Sequence, residues 1–192
     1  MAKTGLKHIV AAKLDDSGAA PAYTEGLIVG KAISANISVE VNDVILYADD
    51  SVAESVKEFK SGKVTLNTDD LIYSVQGMLL GHTATETTLR ANSNDIAPYV
   101  GVGFYGQVIR GGATKYRAVW FFKCKFGEMS DESKTKGESI EFTTPTIEGT
   151  LMKLPNGDWK DETVVDTESA ALLWLDEKAG IGTTEVDGDD DE

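Results

Sequence analysis

One cysteine, two histidines and four prolines in 192 residues already set aside several classes of protein. Cys124 has no second cysteine to pair with, so no internal disulfide forms and nothing points to an oxidising compartment. His8 and His82 each stand apart from any Cys or second His at metal-ligand spacing, which argues against a zinc site. No G-x-S-x-G nucleophile elbow is present. The apolar runs are only a few residues long, far short of a membrane span. Lys3, Lys7, His8 and Lys13 interrupt any secretory apolar segment over residues 1–14, so the expectation is a soluble chain made in a cytoplasm. A chain of this length suits one domain and buries roughly 70% of its unfolded surface, so it needs neither metal nor disulfide to fold.

Positive charge is also scarce. Eighteen basic side chains face thirty-two acidic ones, a formal charge of −14. Six of those charges come from Glu185, Asp187, Asp189, Asp190, Asp191 and Glu192, which leaves −8 on the body. Such a surface repels phosphate backbones and argues against tight nucleic-acid binding. It is compatible with a wall along which DNA slides without sticking.

What the chain does have is alternation. Ile33, Ala35, Ile37, Val39 and Val41 alternate with Ser34, Asn36, Ser38 and Glu40, the period-2 pattern of a strand with one dry face. Val64 and Leu66 repeat it against Lys63, Thr65 and Asn67. Residues 42–62 between them, with Asp43, Asp49, Asp50, Glu54 and Glu58, read as a long polar link, a length that is usually functional or ordered by a partner. Residues 1–32, punctuated by Gly5, Gly18, Pro21, Gly26 and Gly30, read as an irregular arm. Thr68 or Asp69 as N-cap, then Leu71, Ile72, Val75, Met78 and Leu79, predicts a helix ending at Gly81. Residues 82–98 read as loop.

Residues 99–126 predict a hairpin that turns at Gly111-Gly112 and holds eight of the fifteen aromatic residues. Its return strand is expected to place Tyr116, Ala118, Trp120, Phe122, Cys124 and Phe126 on one face, with Val119 and Phe121 interrupting the other. Residues 127–139 read as a polar loop, and residues 139–144 and 146–152 as strands broken by Pro145. Pro155-Asn156-Gly157 reads as a turn. Residues 167–175 fit either a short helix capped by Asp166 or Thr167, or a last strand. Residues 181–192 read as a disordered acidic tail. The fold class is therefore mainly β with one or two helices, in a single domain over 1–180.

Two motifs invite chemistry. Gly101-Val102-Gly103-Phe104-Tyr105-Gly106 fits G-x-G-x-x-G, with Lys123 downstream. A dinucleotide site needs a helix to start at those glycines, whereas here a strand continues, and the kinase tripeptides His-Arg-Asp and Asp-Phe-Gly do not occur. The glycines are better read as places where a ring or another backbone comes close. Asp49-Asp50 and Asp69-Asp70 could pair carboxylates; the first is better read as solvated link and the second as a helix N-terminus. Arg110, Lys115, Arg117, Lys123 and Lys125 form a basic stripe, which on an acidic protein suits the acidic surface of a neighbouring copy better than nucleic acid.

One ordered set of segments resembles a known family. Gly5-Leu6-Lys7 leads to Tyr23 and the 33–41 strand. Leu46-Tyr47-Ala48-Asp49-Asp50 follows, then Glu58-Phe59 with Gly62-Lys63-Val64-Thr65-Leu66. The helix over residues 71–80 and the aromatic hairpin complete it. Together these resemble the major tail (tail-tube) protein of long, non-contractile-tailed bacteriophages, over about residues 5–160. The resemblance implies an antiparallel β-sandwich or barrel of tail-tube type with a packed helix and extended arms. Copies would assemble into stacked hexameric rings, a tube for genome ejection in the virion. It implies partners in the chain itself and in other tail proteins such as tape measure, tail tip and terminator. DNA would pass without specific binding, and no membrane, cofactor, metal or catalytic residue is involved. Residues 42–62 become an inter-subunit loop with Leu46, Tyr47, Asp49, Asp50 and Phe59 as contacts. Ser34, Asn36, Ser38, Glu40, Lys63, Thr65 and Asn67 become lumen-facing positions on an acidic inner wall. The rivals are a monomeric β-barrel or sandwich binding a small ligand among the hairpin aromatics, a hydrolase using Ser with His8 or His82, and a tailocin or secretion tube.

Overall fold

The computed structural model describes residues 3–18, 20–48, 51–130 and 144–182. Ten strands and two helices follow in the order β1 (Lys3–Asp15), β2 (Ala22–Gly30), β3 (Ala32–Ala48), β4 (Ser51–Thr68), α1 (Tyr73–Leu80), β5 (Thr83–Ala84), β6 (Leu89–Arg90), β7 (Val100–Arg110), β8 (Ala113–Phe126), β9 (Thr146–Met152), β10 (Lys160–Val165) and α2 (Glu168–Ala179). Eight strands form one antiparallel sheet in the order β2-β1-β7-β8-β9-β4-β3, with β10 added on β8. The fold is mainly β and sandwich-like, as the composition of its alternating segments predicts.

The sheet curls over on itself. Ile9 and Ala11 of β1, Val64 and Leu66 of β4, Ile147 and Leu151 of β9, and Val102 and Phe121 of the hairpin all enter one core, which α1 plugs with Val75, Met78, Leu79 and Leu80. A second, smaller core lies on the outer side of β1, β7 and β8. There α2 sets Ala171, Leu175 and Ala179, four residues apart, against Val10, Ala12, Tyr105, Ala118 and Trp120. Of the two readings open for residues 167–175, the helix holds. Thr167 caps it, its Oγ1 accepting the N–H of Ala170, and Gly180 ends it with φ 64°.

Four expectations change. The span expected to be an irregular arm holds two strands, β1 and β2, and β1 lies inside the sheet between β2 and β7. Their alternation is hidden because Ile9, Val10, Ala11 and Ala12 are all buried, in the two cores on opposite faces. The 42–62 segment is no loop. β3 and β4 stay paired from Ala32↔Thr68 out to Ala48↔Ser51, so the supposed link is the outer part of one long ribbon. Asp43, Lys57 and Glu58 on that ribbon are exposed and charged, which breaks the apolar alternation. On β8, Val102 pairs with Phe121 but Val100 with Cys124, so Phe122 and Lys123 together oppose Gly101. This bulge swaps faces: Ala118 and Trp120 join the α2 core, while Val119, Phe121, Cys124 and Phe126 join the main one. Finally, α1 starts at Tyr73 with no side-chain cap, and no acidic residue lies in its first turn. Asp69 instead accepts the N–H groups of Lys31 and Asp70, each at 2.9 Å, and fixes the corner before the helix.

Other readings stand. Gly111 and Gly112, at φ 61° and 81°, make the two-residue hairpin turn between Arg110 and Ala113. Residues 82–98 hold only the two-residue strands β5 and β6, and Pro155-Asn156-Gly157 turns. β10 was not predicted, because Lys160-Asp161-Glu162 masks its pattern. The readings for residues 131–143, the greater part of the polar loop and the strand after it, and for residues 183–192 lie outside the described residues.

Candidate assembly surface

The two polar runs recognised separately in the sequence meet on one face. Ser34, Asn36 and Ser38 of β3 stand opposite Asn67, Thr65 and Lys63 of β4, and Glu40 opposite Ser61. Across β4, the same Lys63, Thr65 and Asn67 stand opposite Thr150, Glu148 and Thr146 of β9. Directly opposed residues share a face, so all seven positions lie on one polar surface three strands wide. This is the outer side of the sheet, the side that α2 covers over β1, β7 and β8 and leaves bare over β3, β4 and β9.

Its bonding is dense. Asn67 Nδ2 donates to Thr146 Oγ1 at 2.8 Å, and Thr65 Oγ1 donates to Glu148 Oε1 at 3.4 Å. Lys63 Nζ lies 2.6 Å from Glu148 Oε2, and Lys60 Nζ 3.6 Å from Glu40 Oε2. The expected acidic wall is thus a face of balanced charge, each carboxylate beside a lysine. Exposed pairs of this kind each contribute about 0–1 kcal/mol, so they orient the face more than they stabilise it.

The sheet has two ends. Among the described residues, β3 pairs only with β4 and β2 only with β1. Ile33, Val39 and Val41 on β3 and Ile28 on β2 are about half exposed. Between β3 and the first residues of β1 the curl stays open, leaving a groove of about 560 Å³ lined by Leu6, Ile33, Ile37, Phe104, Val119 and Trp159, among others.

The proposed inter-subunit contacts fall in three places. Leu46 and Tyr47 lie on the outer part of β3, in register with Glu54 and Val52 of β4. Asp49 and Asp50 lie outside the described residues. Phe59 is half-buried and stacks on Trp159 of its own chain, ring centroids 4.5 Å apart.

The basic stripe does not wait for a neighbour. Lys115 bonds Asp166, Arg117 bonds Glu162, and Lys123 bonds Asp16, all within the chain. Lys123 and Lys125 also sit 4.1 Å and 5.4 Å from the centre of the Tyr99 ring. The partners Asp166 and Glu162 lie in or beside the unpredicted β10, which is why the sequence reading assigned these cations to a neighbouring copy instead.

The glycine motif is packing. A Cβ on Gly103 would come within 2.7 Å of Leu175 Cδ2 and of Trp120 Cε3, and one on Gly101 would collide with the Trp120 and Tyr23 rings. Tyr23 crosses Trp120 edge-on at 5.1 Å and donates its hydroxyl to the Phe122 carbonyl at 2.8 Å. Burial pushes the Tyr23 phenol up to about 12. Burial also raises Cys124 well above an ordinary thiol, which suits a core side chain and not a nucleophile.

Each histidine is held by carboxylates. His8, at φ 54° on β1, places Nε2 2.8 Å from Asp176 Oδ1 of α2. Beside it, Lys7 Nζ and the Tyr105 hydroxyl both donate to Glu168 Oε1, at 2.8 and 2.5 Å, and hold that carboxyl below its usual range. His82 lies against Asp95 and Glu128. Among the described residues no serine hydroxyl bonds either ring, and no group of three or more His, Cys, Asp or Glu is arranged to hold a metal ion. No helix among them is long and apolar enough to cross a membrane. Compared with protein-family models and with curated protein sequences, the chain matches none.

Proposed function

We propose that this chain is a structural subunit of tail-tube type, which assembles with copies of itself into stacked rings and acts by geometry, without cofactor or catalysis. One observation carries most of the weight: among the described residues a single sheet ends in two unpaired strands, β2 and β3, each with apolar side chains exposed beside it. An unpaired edge of this length is an aggregation hazard for a monomer, and becomes an assembly surface when a second copy completes it. Joining β3 of one copy to β2 of the next is a heterologous contact, which closes into a ring when its rotation closes. Hexameric rings stacked into a genome conduit, with tape-measure, tip and terminator proteins as partners in a virion, are what the resemblance adds.

In this reading the polar face over β3, β4 and β9 lines the lumen, where hydroxyls, amides and neutralised charge give passing DNA no fixed cation to grip. The outer part of the β3–β4 ribbon reaches a neighbouring subunit or ring. A cysteine pair tests the edge contact. Cys124 is fully buried, so Ile28→Cys combined with Val39→Cys leaves the two introduced thiols as the exposed ones. Oxidation of assembled material is expected to give a covalent ladder that stops at a ring number; absence of cross-linked species would remove the β2–β3 contact.

The ligand-binding alternative draws on the open groove. Its 560 Å³ falls within the range of small-molecule sites, and Phe104 and Trp159 line it. It predicts a monomer at every concentration, and saturable quenching of tryptophan fluorescence by an apolar ligand.

A further inference from the structure

The open groove beside β3 is lined by apolar side chains and by two cations. Ile33, Ile37 and Val39 of β3 line it with Phe104 of β7 and Val119 of β8, and so do Arg117 and Lys160. Strand register brings the charges there. Arg117 lies two residues before Val119 on β8, so the two share a face. β10 sets Glu162 opposite Val119 and Lys160 opposite Phe121, which brings both to that face as well. Glu162 Oε2 accepts from Arg117 Nη2 and, at 3.3 Å, from Lys160 Nζ. Among the described residues neither cation has another acceptor, so one carboxylate answers two positive charges. Lys115, next on the same face of β8, is matched singly by Asp166 and leaves that surplus unchanged. A guanidinium has five N–H donors, and Arg117 spends one of them on Glu162. Its side chain is 24% exposed, so the surplus charge is partly withdrawn from water, where a charge-assisted bond is strong.

We propose that this groove binds a medium-chain aliphatic carboxylate, its alkyl chain among Ile37, Phe104 and Val119 and its head group on Arg117, with Lys160 beside it. The proposal names the ligand class for the ligand-binding reading of the groove and rests on that reading, not on assembly. The planar guanidinium matches a carboxylate in two parallel bonds. A neutral chain would leave the surplus charge unanswered, and a cationic one would be repelled by it. Room for the head group comes from Gly106, which pairs with Arg117 across β7 and β8. A Cβ at Gly106 would meet only the carbonyls of Thr4 and Gly5, at 3.6 and 3.9 Å, so the wall stays low beside the guanidinium. The volume of about 560 Å³ lies within the range of small-molecule sites. Trp159 also lines the groove, 5.0 Å from Lys160 Nζ to its ring centre, and serves as a reporter.

The test titrates the dilute full-length chain with hexanoate, octanoate and decanoate, below their micelle concentrations, and with decanol, by calorimetry and tryptophan fluorescence. Affinity should rise about three- to fourfold with each added methylene. Decanoate should bind about tenfold or more tighter than decanol, the difference that a hydrogen bond to a charged group makes. Arg117→Met should bring the two within about threefold of each other. Gly106→Ile, which fills the groove and leaves Arg117 in place, should weaken both about tenfold or more, and decides the matter if Arg117→Met fails to fold. Trp159→Phe should lose most of the fluorescence change and keep the calorimetric signal. Decanol that binds as tightly as decanoate would overturn the carboxylate and leave an apolar ligand site standing. Failure of both to saturate the parent chain at about 1 mM would overturn the site itself. Unchanged decanoate affinity in Gly106→Ile would place the ligand elsewhere and overturn the proposal too. A parent chain whose Trp159 signal responds to its own concentration, and not to decanoate, would give the groove to a second copy instead.

Discussion

Ser38 and Lys63 stand opposite each other across β3 and β4, and that pairing joins two polar runs about twenty-five residues apart into one surface. β9 widens it, and Glu148 reaches Lys63 at 2.6 Å. The functional reading rests on this outer face, which α2 leaves uncovered, together with the strands that are unpaired among the described residues at both ends of the sheet.

The glycine motif separates packing from ligand binding. Gly101→Ala should cost about 1–3 kcal/mol, because its Cβ meets the Trp120 and Tyr23 rings. At Gly106 the nearest atoms to a Cβ are 3.6 Å away, so Gly106→Ala should lie within about 0.5 kcal/mol of the parent. Urea denaturation measures both. Equal costs would contradict this account of the motif.

Leu175 is the side chain through which α2 is fastened. It is fully buried between Trp120 and Gly103, and Leu175→Ala should cost about 2–5 kcal/mol in chemical denaturation. Thr167→Ala, which removes the cap, should cost about 0.5–2 kcal/mol. A Leu175→Ala protein as stable as the parent would mean that α2 does not pack on this core.

Alkali should find Tyr23. Its phenol ionises at about 12 in the folded chain, against about 10 when unfolded. The folded pKa is raised, so the stability it represents is whole below about pH 10 and is lost as pH rises toward 12. Ultraviolet titration should show the Tyr23 phenolate appearing late, at about 12, with Tyr105, raised by burial and by Glu168, later still, and Tyr23→Phe should lack the step at about 12.

Acid acts in the opposite sense on Glu162, which the Arg117 guanidinium holds below the usual carboxylate range. Stability from this pair is present above the ordinary glutamate pKa of about 4.3 and is lost as pH falls through the folded value. Glu162→Gln should shallow the acid limb of a stability–pH curve and leave the region near pH 7 flat. An unchanged acid limb would count against the pair.

How much was legible follows from where the apolar side chains go. The runs over 33–41 and 63–67 announced strands because one face is dry and the other wet. β1 was hidden because both its faces are buried, and the ribbon beyond Val41 because Asp43, Lys57 and Glu58 there are charged and exposed. A single extra residue on β8 moved Cys124 and Phe126 from the face of Trp120 to that of Phe121, and no alternation shows such a bulge in advance. The polar residues of the candidate surface were legible one strand at a time. Their junction was not, since register belongs to the fold. The partners of the basic stripe were missed for the same reason, because Asp166, Glu162 and Asp16 are distant in sequence.

The central claim is self-assembly through the sheet edges, and light scattering behind size-exclusion chromatography, with the same fractions viewed by negative-stain electron microscopy, tests it most directly. The parent chain, concentrated or seeded with a tail-tip complex, should form rings or tubes. Ile33→Asp with Val39→Asp, placed on the exposed edge, should keep the parent's circular dichroism and remain a monomer of about 20.6 kDa. A parent that stays monomeric when concentrated and seeded, or a double variant that assembles as the parent does, would contradict the account.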